Sequence, residues 1–391
     1  MRSISDSAGE PASEKEDTAM IRKVYSDLIR RKLREDGPSW LLKRGSQYLL
    51  LQLSRLLHRP LCGPALGTLM VTYRCTFHCA MCDMPLKASS YIKRGEKEFD
   101  TARFMDVIGE FARLGIPGIG FTGGEPLLRD DIFELMAETR RLGMIAHLNS
   151  NGWLLGDKQA QRIINIGVDS VNISLDGATA ETHDRIRQAQ GSYDRAVKAV
   201  ERLVSLKKKH KSLIRIKTVA VIDETNIDEV PQMLSLGRNL GTDCIELIPR
   251  QPFAASQQSA AGPELLAKVD RLVRSLLNGE YQGPSLENSP SHLRLFHSSF
   301  SGLPSPVRCS AGYNSLAVDC YGNVFPCVSW INWGKASGSI ANSTLAELWN
   351  SSEYQMEREK TSRCHDCYLC CQAEMNLLFD VLGRLMLKFK T

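Results

Sequence analysis

The sequence predicts an α/β protein: a partial (β/α)6 barrel preceded by a helical segment and followed by a small cysteine-rich domain. Three observations carry the prediction. Six short apolar or β-branched runs alternate with helical patterns between about residues 67 and 250. At 391 residues and 43% hydrophobic content, the chain can bury one large core and a smaller one. The 12 cysteines are clustered, with Cys75, Cys79 and Cys82 close together and four more between Cys364 and Cys371.

Charge and targeting signals narrow the class. The 49 basic and 44 acidic residues leave a formal net charge of +5 with no block of one sign, so no nucleic-acid partner is expected. The N-terminal MRSISDSAGEPASEKED has no apolar stretch and no cleavage signature, which predicts a cytoplasmic chain whose thiols stay reduced.

Residues 1–66 read as a polar tail to about residue 18, a charged helical stretch interrupted near Pro38, and a basic amphipathic helix in WLLKRGSQYLLLQLSRLLHR. That helix groups Leu42, Leu49, Leu53, Leu56 and Leu57 and places Lys43, Arg44, Arg55 and Arg59 largely elsewhere. Packing of the stripe against the barrel is the favoured expectation, with peripheral contact to an anionic membrane as the alternative. Its charges exclude a membrane span.

The barrel is expected over residues 67–285, with strands TLMVTY, GIGFTG, MIAHLNS, SVNISLD, IRIKTVAVI and CIELIP. Helices such as RFMDVIGEFARLG, DIFELMAETRRLG and AVKAVERLVSLKKK lie between them, with apolar residues three and four apart. In such barrels chemistry gathers at the C-terminal ends of the strands. A Pro/Ser-rich linker reaching Pro306 marks a boundary before the cysteine-rich domain, taken as residues 300–373. Residues 374–391 form a second amphipathic segment, with Leu378, Leu382, Leu385 and Phe389 in a stripe.

Cys75, Cys79 and Cys82 follow the first strand in the spacing C-x3-C-x2-C. Four thiolates would saturate an iron–sulfur cubane, whereas three leave one iron open to chelate a small molecule. A zinc site using His78 is the competing reading. It is disfavoured because His78 directly precedes Cys79, a poor geometry for two ligands of one ion.

These cysteines, together with Gly123-Gly124-Glu125-Pro126 at the second strand end, resemble the radical S-adenosylmethionine superfamily over the whole barrel. The resemblance implies a 4Fe–4S cluster on Cys75, Cys79 and Cys82, with S-adenosylmethionine on its open iron. It implies adenine contact at Met81 and a cofactor-binding turn at Gly123, Gly124 and Glu125. Asn151, in Ser150-Asn151-Gly152, occupies a matching element at the third strand end. Ser174 and Asp176, two apart on the fourth strand, match polar groups that face the ribose and methionine carboxylate, and Arg185 is a candidate carboxylate partner. The implied chemistry is reductive cleavage of the cofactor to a 5′-deoxyadenosyl radical that abstracts hydrogen from a substrate, with an electron donor such as flavodoxin or ferredoxin.

The C-terminal region resembles the SPASM/Twitch extension of that superfamily. Cys309, Gly322 and Cys327 fit its first element, and Cys364 and Cys367 supply a C-x2-C pair. Four thiolates suffice for one auxiliary cluster, with Cys370 or Cys371 as substitutes. A structural zinc site remains the alternative. Cys320 is left without a role, and Cys62 and Cys244 read as isolated thiols. The substrate stays open among a peptide, a small molecule to be oxidised, and a lipid-linked compound. An iron–sulfur scaffold or electron carrier without catalysis is the reading from another class.

Overall fold

The computed structural model describes residues 29–251, 260–281, 283–333, 336–341 and 343–380. The expected polar tail, most of the loop after Pro249 and the Leu382, Leu385 and Phe389 part of the last stripe lie outside the described residues. Six strands form a parallel sheet in chain order: β1 (Leu66–Thr72), β2 (Gly118–Gly123), β3 (Ile145–Ser150), β4 (Ser170–Ser174), β5 (Arg215–Ile222) and β6 (Cys244–Pro249). Each agrees with a strand expected from the sequence.

Register explains the two faces. Leu69, Phe121, Leu148, Val171 and Ile216 are successive partners across β1 to β5, and all are fully buried. Because strand side chains alternate, these rows face the outer helices while the intervening rows face the bore. Among the outer helices, α1 (Thr101–Arg113) buries Phe104, Val107, Ile108 and Phe111 at helical spacing. Its N-cap Asp100 accepts a hydrogen bond from the Arg103 N–H. The next two, α2 (Ile132–Arg141) and α3 (Asp157–Ile166), cover the same layer. Beyond β4 follow α4 (Ala180–Arg187) and α5 (Ser192–Lys209).

The cysteine-rich region does not stand apart from the barrel sheet. Strand β8 (Ser315–Val318) pairs in parallel with β1, and β9 (Asn323–Phe325) and β10 (Gly338–Ser339) continue antiparallel beyond it. At the other end, β7 (Ser285–Leu286) pairs with β6. An unpaired β1 edge would expose a row of backbone donors and acceptors, and β8 occupies it. The side left open between β7 and β8 is bridged by α6 (Cys370–Phe379). There the Ser289 N–H donates to Glu374 Oε1 at 2.7 Å, and the Ser315 hydroxyl donates to Gln372 Oε1 at 2.7 Å.

The N-terminal leucine stripe reverses its favoured expectation. The helix Pro38–Leu56 buries Gln47, Leu51 and Ser54, and the Gln47 amide donates to the carbonyls of Gly63 and Pro64. Leu42, Leu49 and Leu56 are 76%, 63% and 73% exposed. The face that docks carries Leu51 between Gln47 and Ser54, and the Gln47 amide meets carbonyls of the loop below the barrel that need donors. Among the described residues no helix is long and apolar enough to cross a membrane.

Candidate active site and auxiliary cysteine centre

The cysteine loop is held by the turn that ends β2. Gly124 N–H donates to the Thr72 carbonyl at 2.8 Å, and Glu125 N–H donates to the Arg74 carbonyl at 2.9 Å, immediately before Cys75. A Cβ on Gly124 would lie 2.0 Å from the Arg74 oxygen, and one on Gly123, whose φ is 140°, 2.1 Å from the Thr72 oxygen. Only glycine permits this approach. From the other side, the Ala80 N–H donates to the Ile186 carbonyl of α4 at 3.1 Å.

Cys75, Cys79 and Cys82 line one cavity of about 280 Å3 with Met81, Gly123, Gly124, Asn151 and Ser174. Burial pushes the Cys75 thiol up to about 11, and Cys82 is shifted upward for the same reason. Iron ligation would deprotonate these thiols outright. The Asn151 amide stands 4.0 Å from Cys75 Sγ and donates to Thr76 Oγ1 at 3.1 Å. The loop thus offers three sulfurs beside amide and guanidinium donors, a donor set that fits a cluster held by three thiolates.

Glu125 and Asp176 line no part of that cavity. Glu125 is fully buried and accepts from Ser150 Oγ at 2.9 Å, Asn151 N–H at 2.8 Å and Leu127 N–H at 3.0 Å, so it ties the β2 end to the β3 end. Burial is the larger influence and shifts its pKa upward against these donors. Asp176 is also fully buried; it accepts from the Val221 N–H at 2.8 Å and pairs with Arg187 Nε. Both carboxylates are positioning groups in this geometry.

Arg185 is exposed and reaches the Thr225 carbonyl, whereas Arg187 lines the cavity with an N–H 3.9 Å from Cys79 Sγ. Two residues along a helix turn by about 200°, so when one arginine faces the cysteines the other faces solvent. Burial works against the charge of Arg187, but Asp176 and Cys79 outweigh it and shift its pKa upward. The sequence reading selected the wrong member of Arg185-Ile186-Arg187. The buried neighbours Thr182, His183 and Ile186 define the inward side of α4, and that pattern was the available signal.

The auxiliary cysteines converge separately. Cys309 and Cys327 are buried together, with Cys364 packed against them, and Cys367 Sγ lies 3.4 Å from Ser329 Oγ. Cys309 and Cys364 share a hydrogen bond that shifts the Cys309 pKa upward and the Cys364 pKa downward. Among the described residues, the one trio of donors within 4.8 Å of one another is His292, Cys370 and Glu374, which includes none of the four. Four thiols gathered in this one region are enough to hold one iron–sulfur cluster.

Cys370 is buried near the Asn288 amide at 3.8 Å, and both Cys370 and Cys371 line the bore. The His292 trio is itself a hydrogen-bonded core: Nδ1 faces the Asn288 amide at 2.8 Å and Nε2 the Tyr368 carbonyl at 3.0 Å. Cys320 packs in the main core, which accounts for the thiol left without a role.

Residues 69–236 match the Radical SAM superfamily, and residues 309–370 match SPASM, an iron–sulfur cluster-binding domain. The chain is a radical S-adenosylmethionine enzyme with a C-terminal SPASM domain, using a 4Fe–4S cluster, S-adenosylmethionine and auxiliary iron–sulfur binding. It is similar to the PqqA peptide cyclase of Gluconobacter oxydans (strain 621H), 28% identical over 284 residues, or 72% of this chain and 75% of that one. The mycofactocin maturase MftC of Mycolicibacterium smegmatis is 26% identical over 339 residues, 82% of this chain and 78% of that one. Streptococcus suis SuiB has a similar fold, with a TM-score of 0.61 at 14% identity over 90% of this chain and 86% of that one. So does anSMEcpe, solved with AdoMet and a peptide, with a TM-score of 0.56 at 17% identity over 84% of this chain and 99% of that one.

When bound, the cluster and S-adenosylmethionine supply one-electron cleavage to a 5′-deoxyadenosyl radical. The residues of this chain anchor the cysteine loop through the Gly124, Glu125 and Ala80 N–H groups and aim Arg187 and Asn151 at its sulfurs.

Proposed function

We propose that the enzyme abstracts hydrogen from a peptide substrate in a maturation pathway. The observation that carries this reading is a bore of about 490 Å3 that shares Thr122, Asn149, Val219 and Ile248 with the cofactor cavity and is walled by Cys371 and Glu374 of α6. A substrate group there would lie beside the cofactor cavity, with Cys371 in the opposite part of its wall. The names of the relatives support a peptide over the other substrates: PqqA peptide cyclase, and SuiB solved with the precursor peptide SuiA. Cys309, Cys327, Cys364 and Cys367 would hold a single auxiliary cluster, which would serve as electron acceptor for substrate oxidation. Met81, Gly123, Gly124, Asn151, Ser174 and Arg187 would contact S-adenosylmethionine. The setting we propose is the cytoplasm, with flavodoxin or ferredoxin as electron donor.

The test is incubation of the reduced, reconstituted enzyme and S-adenosylmethionine with short peptides encoded beside its gene. A hydrogen-loss mass change together with 5′-deoxyadenosine supports the reading; 5′-deoxyadenosine with every peptide unchanged in mass refutes the peptide assignment. A second reading, peripheral membrane contact, is favoured by the exposed Leu42, Leu49 and Leu56 near Lys43 and Arg59. Co-sedimentation with anionic vesicles, lost when Leu49, Leu53 and Leu56 are made polar, would support it. Absence of binding by the unaltered chain would remove it.

A further inference from the structure

Barrel interiors are usually filled by branched apolar side chains, and this one is polar. His147, Ser170 and Arg215 are register partners across β3, β4 and β5, and all line the bore. One layer nearer the cofactor cavity the row is Asn149, Asn172 and Lys217, again on the same three strands. Both cations of these rows are paired with carboxylates: Arg215 pairs with Glu287 at 2.7 Å, and Lys217 lies 3.4 Å from Glu287 and 3.6 Å from Glu246. His147 is neutral, since burial first and Lys217 second push it down to about 3. A charged ligand would upset this pairing, and a neutral polar one would not.

Two groups in the wall keep hydrogen-bonding capacity to spare. Asn172 is 7% exposed; its amide N–H donates to Asn149 Oδ1 at 2.9 Å, but its own Oδ1 has no hydrogen-bond donor. Buried acceptors are normally satisfied, so this oxygen marks a place for a donor from outside the protein. Lys217, also 7% exposed, makes one long hydrogen bond, to Glu287, and an ammonium carries three N–H donors. Asn172 and Lys217 are register partners on adjacent parallel strands, side by side about 4.8 Å apart on the bore face.

We infer that Asn172 and Lys217 form a recognition subsite for a carboxamide group of the substrate, with its carbonyl accepting from Lys217 and its N–H donating to Asn172 Oδ1. The subsite rests on the peptide reading, because every peptide residue supplies such a group. It lies about 6.6 Å, two residues along the strand, below Ser174 and Val219, which line the cofactor cavity. A carboxamide seated there points an adjoining carbon toward that cavity.

The experiment is saturation-transfer NMR on the anaerobic holoenzyme with propionamide, propionate, propylamine and propanol as separate probes. Propionamide is expected to give the strongest signal. That signal should fall about 5-fold in Asn172→Leu, one neutral hydrogen bond, and about 10-fold in Lys217→Met, one charged hydrogen bond. Iron content equal to the unaltered enzyme identifies folded variants, and Lys217→Met carries the test if Asn172→Leu loses iron. Equal signals from all four probes, or a propionamide signal unchanged in a folded variant, overturns the subsite. Propionamide bound by this wall while no peptide changes in mass refutes the peptide reading alone. A modified peptide without the propionamide signal refutes the subsite alone.

Discussion

The carboxylate of Glu125 accepts a 2.8 Å hydrogen bond from the backbone N–H of Asn151 and so fastens the end of β2 to the end of β3. Ser150 Oγ and the Leu127 N–H complete its ring of donors. Glu125→Gln turns one acceptor oxygen toward donors as an NH2 group. A stability loss of about 1–3 kcal/mol is expected, read as a lower denaturation midpoint, with reduced 5′-deoxyadenosine formation from a displaced Asn151.

Arg187 and Arg185 should separate cleanly. Arg187→Met strands the buried Asp176 carboxylate and is expected to cost about 3–5 kcal/mol, with loss of cofactor cleavage. Arg185→Met, on the solvent side, should stay within about 0.5 kcal/mol of the unaltered chain. Thermal unfolding together with chromatographic detection of 5′-deoxyadenosine compares them. Equal effects would contradict the inward assignment of Arg187.

Gly124→Ala pushes a methyl group against the Arg74 carbonyl, 2.0 Å away before any relaxation. The cysteine loop begins at the next residue. Iron bound at Cys75, Cys79 and Cys82 should therefore fall sharply, measured as iron per chain after anaerobic reconstitution, while Gly45→Ala, in the helix Pro38–Leu56 where an added Cβ meets nothing within 4 Å, should leave iron loading unchanged.

His183 gives a pH dependence. It is 1% exposed, its Nδ1 accepts from the Asp176 N–H at 3.0 Å, and burial pushes it down to about 4 from an ordinary value of 6.5. Between those values the unfolded chain binds a proton that the folded chain refuses, so stability is full above about 6.5 and declines as pH falls toward about 4. His183→Gln should flatten that part of the denaturation midpoint against pH. An unchanged slope would show that His183 does not set it.

The auxiliary centre can be counted in a chain whose Cys75, Cys79 and Cys82 are all serine. Alanine at Cys309 or Cys327 should remove the remaining iron and its visible absorbance. Alanine at Cys320, which lies in the main core, should leave both.

The barrel strands were legible because each carries its own period of apolar residues, and the cysteine loop because ligand spacing is local. Helix α4 was harder: Arg185 and Arg187 both lie in a charged stretch, and only the packing of Ile186 and His183 decides which arginine turns inward. Glu125 was read as a cofactor ligand because its motif implies one; its donors Ser150 and Asn151 come from another strand, 25 and 26 residues away. The leucines of the first amphipathic helix marked an apolar side, yet the docked side is Gln47, Leu51 and Ser54, with the Gln47 amide donating to carbonyls below the barrel.

By itself the sequence determined the chemistry: C-x3-C-x2-C after a first strand, a glycine turn after the second, and four further cysteines near the end. Short-range spacing suffices for that, because ligands and turns are set within a few residues of one another. The tertiary structure alone decided that α6 closes the barrel, that Arg187 rather than Arg185 meets the cysteines, and that Asn172 and Lys217 face one cavity. Those relationships arise from strand register and helix docking, which sum many weak contacts between distant residues and leave no mark in any single stretch of chain.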